Sequence, residues 1–455
     1  MADPVLALLE QQSDLCEVKA LHKGSSIPLY IAKQHYSEGE RQQVIQVLDN
    51  LQNHYTIKRE KDLLHYLDQF ENFARFNEIR KVDFHYLQFF DLKAKRTLKQ
   101  HVAKKGVLAE NAWLRLLQDM ISILEKVHQV GFVHTAIEPG RIWVSKQHFY
   151  LMDWRQAIPA LSSYESALLP ADNRYTPPER LHGQCDAKGD IYQLGCTLYY
   201  ALTGKHIYRL DKVKDPYDQM WAHSHHTIRK VEKLPVYIRY LLLWMTQKDP
   251  KKRPSLAELK QWTKDFKSPK WVRKQTLKPV KGFPDNTLLA LADEHYPYAL
   301  YQRARLLEAQ GDLTTAFNLY ENGAFKEYVL AEAELARLYL QGFPVEASEE
   351  MAAHLFHSAY QQGHPQAAFE LARLYETGQA LKPNAHKAFE LNLFAAQRGH
   401  LEAQYNVALA FHEGSVVTGD EAQALSWMKL AAHYGYKPAQ TALQNWHKAA
   451  LHRAE

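Results

Sequence analysis

His134-Thr-Ala-Ile-Glu-Pro-Gly-Arg-Ile142 decides how this chain is read. A strand-like run follows it, Phe149-Tyr-Leu-Met152, and then the triplet Asp153-Trp154-Arg155. Further along come Thr176-Pro-Pro-Glu179, Asp190-Ile-Tyr-Gln-Leu-Gly195 and Asp249-Pro-Lys-Lys-Arg-Pro254. Upstream stand Tyr30-Ile-Ala-Lys33 and Arg59-Glu-Lys-Asp-Leu-Leu64. A single short motif is weak evidence; several in a fixed order are much stronger.

In that order the segments resemble the protein kinase signature set. His134 and Pro139 match the histidine and proline of H-R-D-L-K-P-x-N, whereas Ala136 stands in the place of the catalytic Asp, Glu138 in that of the Lys and Arg141 in that of the Asn. Asp153-Trp154-Arg155 takes the place of D-F-G, and Thr176–Glu179 that of A-P-E. The resemblance covers roughly residues 8–266. It implies an α+β bilobal protein-kinase-like domain.

Kinases act mainly by positioning and electrostatics, so each part can be compared. The resemblance implies that Lys33 and Glu60 pair to orient phosphates and that Asp153 holds Mg²⁺. Gln11, Ser13 and Cys16 are expected at the glycine positions of the phosphate loop, where each Cβ hinders close backbone approach. Ile31 replaces the usual Ala and crowds the adenine pocket. Trp154 is expected to pack on the helix that carries Glu60, and Arg155 replaces a flexible Gly. Thr135 replaces the Arg that reads phosphorylation, and Ser162, Ser163 and Ser166 are no basis for inferring phosphoregulation.

Ala136 accepts no proton, and general-base assistance contributes roughly 10²–10⁴ in rate. Glu138 repels the transferring phosphoryl group by on the order of 4 kcal/mol at about 4 Å and a dielectric near 20. Arg141 puts a cation where a second metal would bind; it either contacts phosphate or pairs with Asp153. Glu179 and Arg253 match a buried ion pair, and Asp190 matches the residue that holds the catalytic-loop backbone. Fold kept and chemistry eroded is the pattern of a pseudokinase, with at most weak binding of ATP and Mg²⁺. The alternatives are an active atypical Ser/Thr kinase and a nucleotide-sensing regulator.

A second pattern begins near residue 285. Leu335-Ala-Arg-Leu-Tyr339 recurs as Leu371-Ala-Arg-Leu-Tyr375 and as Val407-Ala-Leu-Ala-Phe411, at steps of 36. Gly342, Gly378 and Gly414 keep that step, as do Gly363, Gly399 and Gly435. Three landmarks at one period indicate a helical repeat. Alanines allow close helix approach, and the glycines suit left-handed caps. The units resemble Sel-one-like repeats, relatives of tetratricopeptide repeats. Tyr301–Gly323 reads as a shorter preceding unit and Pro438–Leu451 as a capping helix. Such a stack implies an all-α solenoid that binds a protein or peptide on its concave face.

The expected division is therefore 1–266 protein-kinase-like domain, 267–284 basic linker and 285–451 helical repeats. Residues 264–281 carry seven cations against Asp265 alone, a local +6 that exceeds the net +5 of all 455 residues. This stretch reads as a solvated linker, or as a contact for an acidic surface; no specific nucleic-acid partner is expected. Cys16, Cys185 and Cys196 lack ligand spacing, which points to a reducing, cytoplasmic setting. Met1-Ala-Asp-Pro-Val5 lacks a basic n-region, so a signal peptide is not expected. The longest apolar run, Tyr240–Met245, is too short to span a bilayer. His223-Ser-His225-His226 reads as a surface cluster rather than a metal site. Kinase and repeats on one chain suggest a bacterial source.

Overall fold

The computed structural model describes residues 4–20, 29–37, 39–48, 54–70, 73–91, 94, 96–160, 162–170, 172–228, 234–275 and 282–454. After helix α1 (Pro4–Glu10) come β1 (Leu15–Ala20), β2 (Leu29–Tyr36), β3 (Gly39–Leu48), α2 (His54–Leu67), β4 (Arg75–Val82) and β5 (His85–Asp91). The strands form one antiparallel sheet in the order β1-β2-β3-β5-β4. Alternation along the strands sorts its faces. Ile45, Val47, Leu87 and Phe89 pack with Leu9 of α1. Val44 and Phe90 face the other way, onto Leu63, Leu64 and Leu67 of α2. Gln46 and Gln88 share that second face as cross-strand partners, and both are buried.

The helical lobe follows, with α3 (Leu98–Lys105), α4 (Glu110–Gln129), β6 (Phe132–Val133), β7 (Ile142–Val144), β8 (Phe149–Leu151), β9 (Ile158–Pro159) and α5 (Ser163–Ala167). Then come α6 (Ala187–Thr203), α7 (Pro216–His225), α8 (Val236–Met245), α9 (Leu256–Asp265) and α10 (Lys270–Arg273). Helix α6 is buried along most of its length. Gly195 lets it touch α8: a Cβ there would lie 2.9 Å from Met245 Cβ. Within the stretch expected as linker, α10 docks on α8 and Val272 is fully buried.

Helix α11 (Thr287–Asp293) leads into the pairs α12 (Pro297–Ala309) and α13 (Leu313–Phe325), α14 (Val329–Gln341) and α15 (Glu349–Gln361), α16 (Pro365–Thr377) and α17 (Ala385–Gln397), α18 (Leu401–Glu413) and α19 (Glu421–His433), closed by α20 (Lys437–Ala454). Asp312, Ser348, Asn384 and Asp420 cap the second helix of each pair, each side chain accepting an N–H three residues on. These caps keep the 36-residue step, as do the left-handed glycines 342, 378 and 414 that end the first helices. The architecture is thus a strand-rich lobe, a helical lobe and a series of helical repeats, as the sequence implies.

The repeats pack back onto both lobes. Ala167, Leu181 and Met220 share one apolar core with Leu291, Tyr328 and Ala331. At the far end Ile57 of α2 meets Leu430, and Phe84 stacks on His433 with centroids 3.5 Å apart.

Candidate functional site

The loop around Ala136 is held from α6. The fully buried Asp190 carboxylate accepts the N–H groups of His134 and Thr135, both at 2.8 Å, and lies 2.8 Å from the His128 ring. Gln193 accepts from Ile137 N–H at 3.1 Å and donates to Thr135 C=O at 2.7 Å. Thr135 is left-handed, φ 61°. The loop is therefore built and oriented, but the side chain it presents at 136 is a methyl group. Burial pushes the Glu138 carboxyl up, opposed by Arg141, whose Nε lies 3.6 Å away.

Asp153 is buried between two guanidinium groups. Arg155 Nε donates to Oδ1 at 2.8 Å, and Arg141 Nε lies 3.1 Å from Oδ2. The second contact lacks hydrogen-bond geometry and is coulombic. Burial raises the Asp153 carboxyl, but Arg141 and Arg155 outweigh it and bring the group below its ordinary value. Of the two courses open to Arg141, the structure shows the pairing with Asp153. Trp154 packs at 5.9 Å from Phe73 and edge-on to His134 at 4.8 Å, and the turn it begins contacts α2.

Lys33 and Glu60 do not meet. Lys33 lies on β2, is 42% exposed, and pairs with Glu17 of β1 and, at 3.8 Å, with Glu40. Glu60 is buried on the inner side of α2, where burial and then the charge of Asp153 push its carboxyl up to about 8. The strand that enters α2 is β3, not β2. On its inner face Gln46 occupies the position toward α2, and Val44, two residues earlier, takes the place assigned to Ile31. Among the described residues, Gln46 Nε2, both amide atoms of Gln88 and Glu60 Oε2 are buried without a hydrogen bond of good geometry.

The phosphate-loop expectation moves by one hairpin for the same reason. Gln11 and Ser13 lie in the turn between α1 and β1, and Cys16 lies within β1, paired with Lys33. The β1–β2 connection is residues 21–28, which fall outside the described residues; its sequence, Leu21-His-Lys-Gly-Ser-Ser-Ile-Pro28, holds one glycine. Placing the phosphate loop at Gln11, Ser13 and Cys16 therefore takes the wrong strand pair. The signal that was missed is Val44-Ile-Gln-Val-Leu48, an apolar strand directly before α2 with one polar residue at its centre.

These residues do not fit Mg·ATP. The carboxylate that should hold the metal already faces two cations, and the β3 position offers an amide instead of an ammonium. Among the described residues, the three-member set of possible metal ligands is Cys16, His35 and Glu40, which excludes Asp153. The histidine run diverges: His223 is buried against Tyr192 at 2.9 Å, His225 faces Glu294 at 3.0 Å, and His226 bonds Gly282 C=O at 2.7 Å. Its first and last members are thus buried residues, not surface ones.

The supporting motifs are complete. Arg253 meets Glu179 through two bonds of 2.6 and 2.7 Å and reaches three main-chain carbonyls. Between Asp153 and Glu179, α5 is held by the repeats. Tyr164 N–H donates to Gln362 C=O at 3.2 Å, and Tyr328 OH donates to Ala167 C=O at 3.2 Å. Arg59 of α2, nearly buried, pairs with Glu165 of α5 at 2.7 Å, and the Arg398 guanidinium sits 3.9 Å over the Tyr55 ring. Sequence reasoning missed this seam, because its partners are more than 100 residues apart.

Comparison with known proteins agrees with this architecture. Residues 32–263 match the protein kinase domain model, and residues 329–364, 365–400 and 401–436 each match the Sel1 repeat. The first match spans half the chain, which therefore belongs to the protein kinase domain family and carries three Sel1 repeats. The serine/threonine-protein kinase PknB of Mycolicibacterium smegmatis is 31% identical over 115 residues, 24% of this chain and 18% of that protein. A probable PknB of Bifidobacterium longum is 28% identical over 116 residues, 24% and 17% of the two chains. Sperm motility kinase 2B of mouse is 25% identical over 167 residues, 36% and 34%. The chain thus spans under a fifth of the length of the PknB relatives. None of the helices among the described residues is long and apolar enough to cross a membrane.

Proposed function

We propose that this protein is a catalytically impaired, kinase-like scaffold whose repeats recruit a protein partner. The observation that carries the reading is the closure of Asp153 by Arg141 and Arg155, beside a β3 position held by Gln46. ATP and Mg²⁺ are used by the family in general, but here the metal ligand is neutralised from within. No carboxylate is available at Ala136 to take a proton. The polar framework that supports the loop, Asp190, Gln193 and the Glu179–Arg253 pair, serves the fold and needs no nucleotide. The three free cysteines, two of them buried, support a reducing, cytoplasmic setting.

The test is radiolabelled phosphate transfer from ATP with Mg²⁺ and with Mn²⁺, using Asp153→Ala as the contamination control. The expected result is no Asp153-dependent labelling of the protein or of general substrates. A second reading, an active atypical Ser/Thr kinase, draws on the similarity to relatives named serine/threonine-protein kinases. Robust Asp153-dependent labelling would establish it.

A further inference from the structure

The seam between α2 and the repeats leaves an open groove of 970 Å³. That is at the upper end of ligand pockets, which run about 300–1,000 Å³. One wall is α2, with Tyr55, Lys58, Lys61 and Tyr66; the other comes from the repeats, with Gln397 and Trp427. Ile79, Val130 and Phe132 line it as well. Three lysines stand at it, Lys58, Lys61 and Lys81, all exposed. Among the described residues none of them pairs with a carboxylate, whereas Arg59 is already neutralised by Glu165. Asp62 is the one carboxylate in the lining.

We propose that this groove binds an acidic, extended peptide segment of a partner protein, anchored by an aromatic or aliphatic side chain. Charge complementarity selects the acidic character: three unpaired ammonium groups face one carboxylate. The apolar and aromatic lining calls for an anchor, and an open trough with walls from two domains suits a chain better than a compact molecule. The surface of the early repeats is not equally free, because α5 of this same chain is bound to it through Tyr164, Gln362 and Tyr328. An occupant would touch α2 and the repeats together. It would therefore tighten the seam that holds Arg59 on Glu165. The inference concerns the partner site and stands whether or not the kinase-like lobes transfer phosphate.

The experiment is fluorescence polarisation on the full chain with three labelled 12-residue peptides. One carries Glu and Asp with a Leu and a Trp, one keeps those anchors but replaces the acids by Lys, and one keeps the acids but replaces the anchors by Ala. The first should bind at least tenfold more tightly than the other two. The triple variant Lys58→Glu, Lys61→Glu, Lys81→Glu changes exposed positions only. It should lose at least tenfold for the acidic peptide and gain for the basic one, with an unchanged thermal transition. Trp427→Ala should weaken both. Hydrogen exchange with the acidic peptide bound should protect residues 55–66 and the neighbourhood of 427. Failure of all three peptides to bind overturns the proposal. So does binding that survives the triple reversal, or protection that maps instead to the basic stretch 264–274. Phosphate transfer, assayed separately, bears on the scaffold reading and leaves this one untouched.

Discussion

Replacing Glu60 by Gln should stabilise the protein at pH 8, although it removes the residue that would form half of an ion pair in an active kinase. Glu60 is buried beside Asp153, and its carboxyl titrates at about 8 rather than at the ordinary 4.5. A carboxyl raised in this way is favoured in its neutral form by the fold. Its contribution is unpenalised below about pH 4.5, and stability falls as pH rises from there through about 8. One pKa unit corresponds to 1.36 kcal/mol. The full shift therefore sets a ceiling of about 5 kcal/mol on the penalty above pH 8. Relaxation around the charge and its coupling to Asp153 reduce the expected gain to a few kcal/mol. Glutamine keeps the shape and cannot ionise. The assay is thermal and urea unfolding of the parent and Glu60→Gln proteins at pH 5 and pH 8.5. The two should differ little at pH 5, and the variant should be the more stable at pH 8.5. The opposite sign would sink the reasoning: breaking a buried salt bridge costs about 3–5 kcal/mol, so a destabilised variant at high pH would mean that a cation does reach Glu60.

The remaining expectations concern separate parts of the chain. Ala136→Asp alone should stay inactive in phosphate transfer, because Glu138, Arg141 and Gln46 act on the same step and such effects are far from additive; labelling by that variant would refute this. Arg253→Met should cost about 3–5 kcal/mol by leaving Glu179 buried and unpaired, whereas Lys33→Met, at an exposed pair, should cost far less; equal losses on denaturation would contradict the strand assignment. Asp420→Ala should lower the melting temperature through loss of the α19 cap, and the same change at Asp265, on the last turn of α9, should be near neutral; melting curves of the two variants decide it.

Much of the molecule was legible without coordinates. The helical-lobe motifs are contiguous segments that resemble those of the family, so Asp190, Glu179 and Arg253 could be named although their partners lie more than 50 residues away. The repeat period was legible for a related reason: Gly342, Gly378 and Gly414 each answer the same backbone demand at the same step. The sheet was harder. Its strands look alike in sequence, and sliding the pattern by one hairpin exchanges Lys33 for Gln46 while leaving the apolar alternation intact. That single slip misplaced both the expected ion pair and the phosphate loop.

By itself, then, the sequence determined the family, the three repeats and the absence of a base at 136, because each is carried by contiguous residues with local physical requirements. Only the tertiary structure decided that Arg141 turns onto Asp153, that no ion pair forms at Glu60 among the described residues, and that α5 lies against the repeats. Those outcomes depend on which distant groups share a desolvated space. Burial sets the cost of every unpaired charge there, and burial is a property of the packed chain rather than of any segment of it.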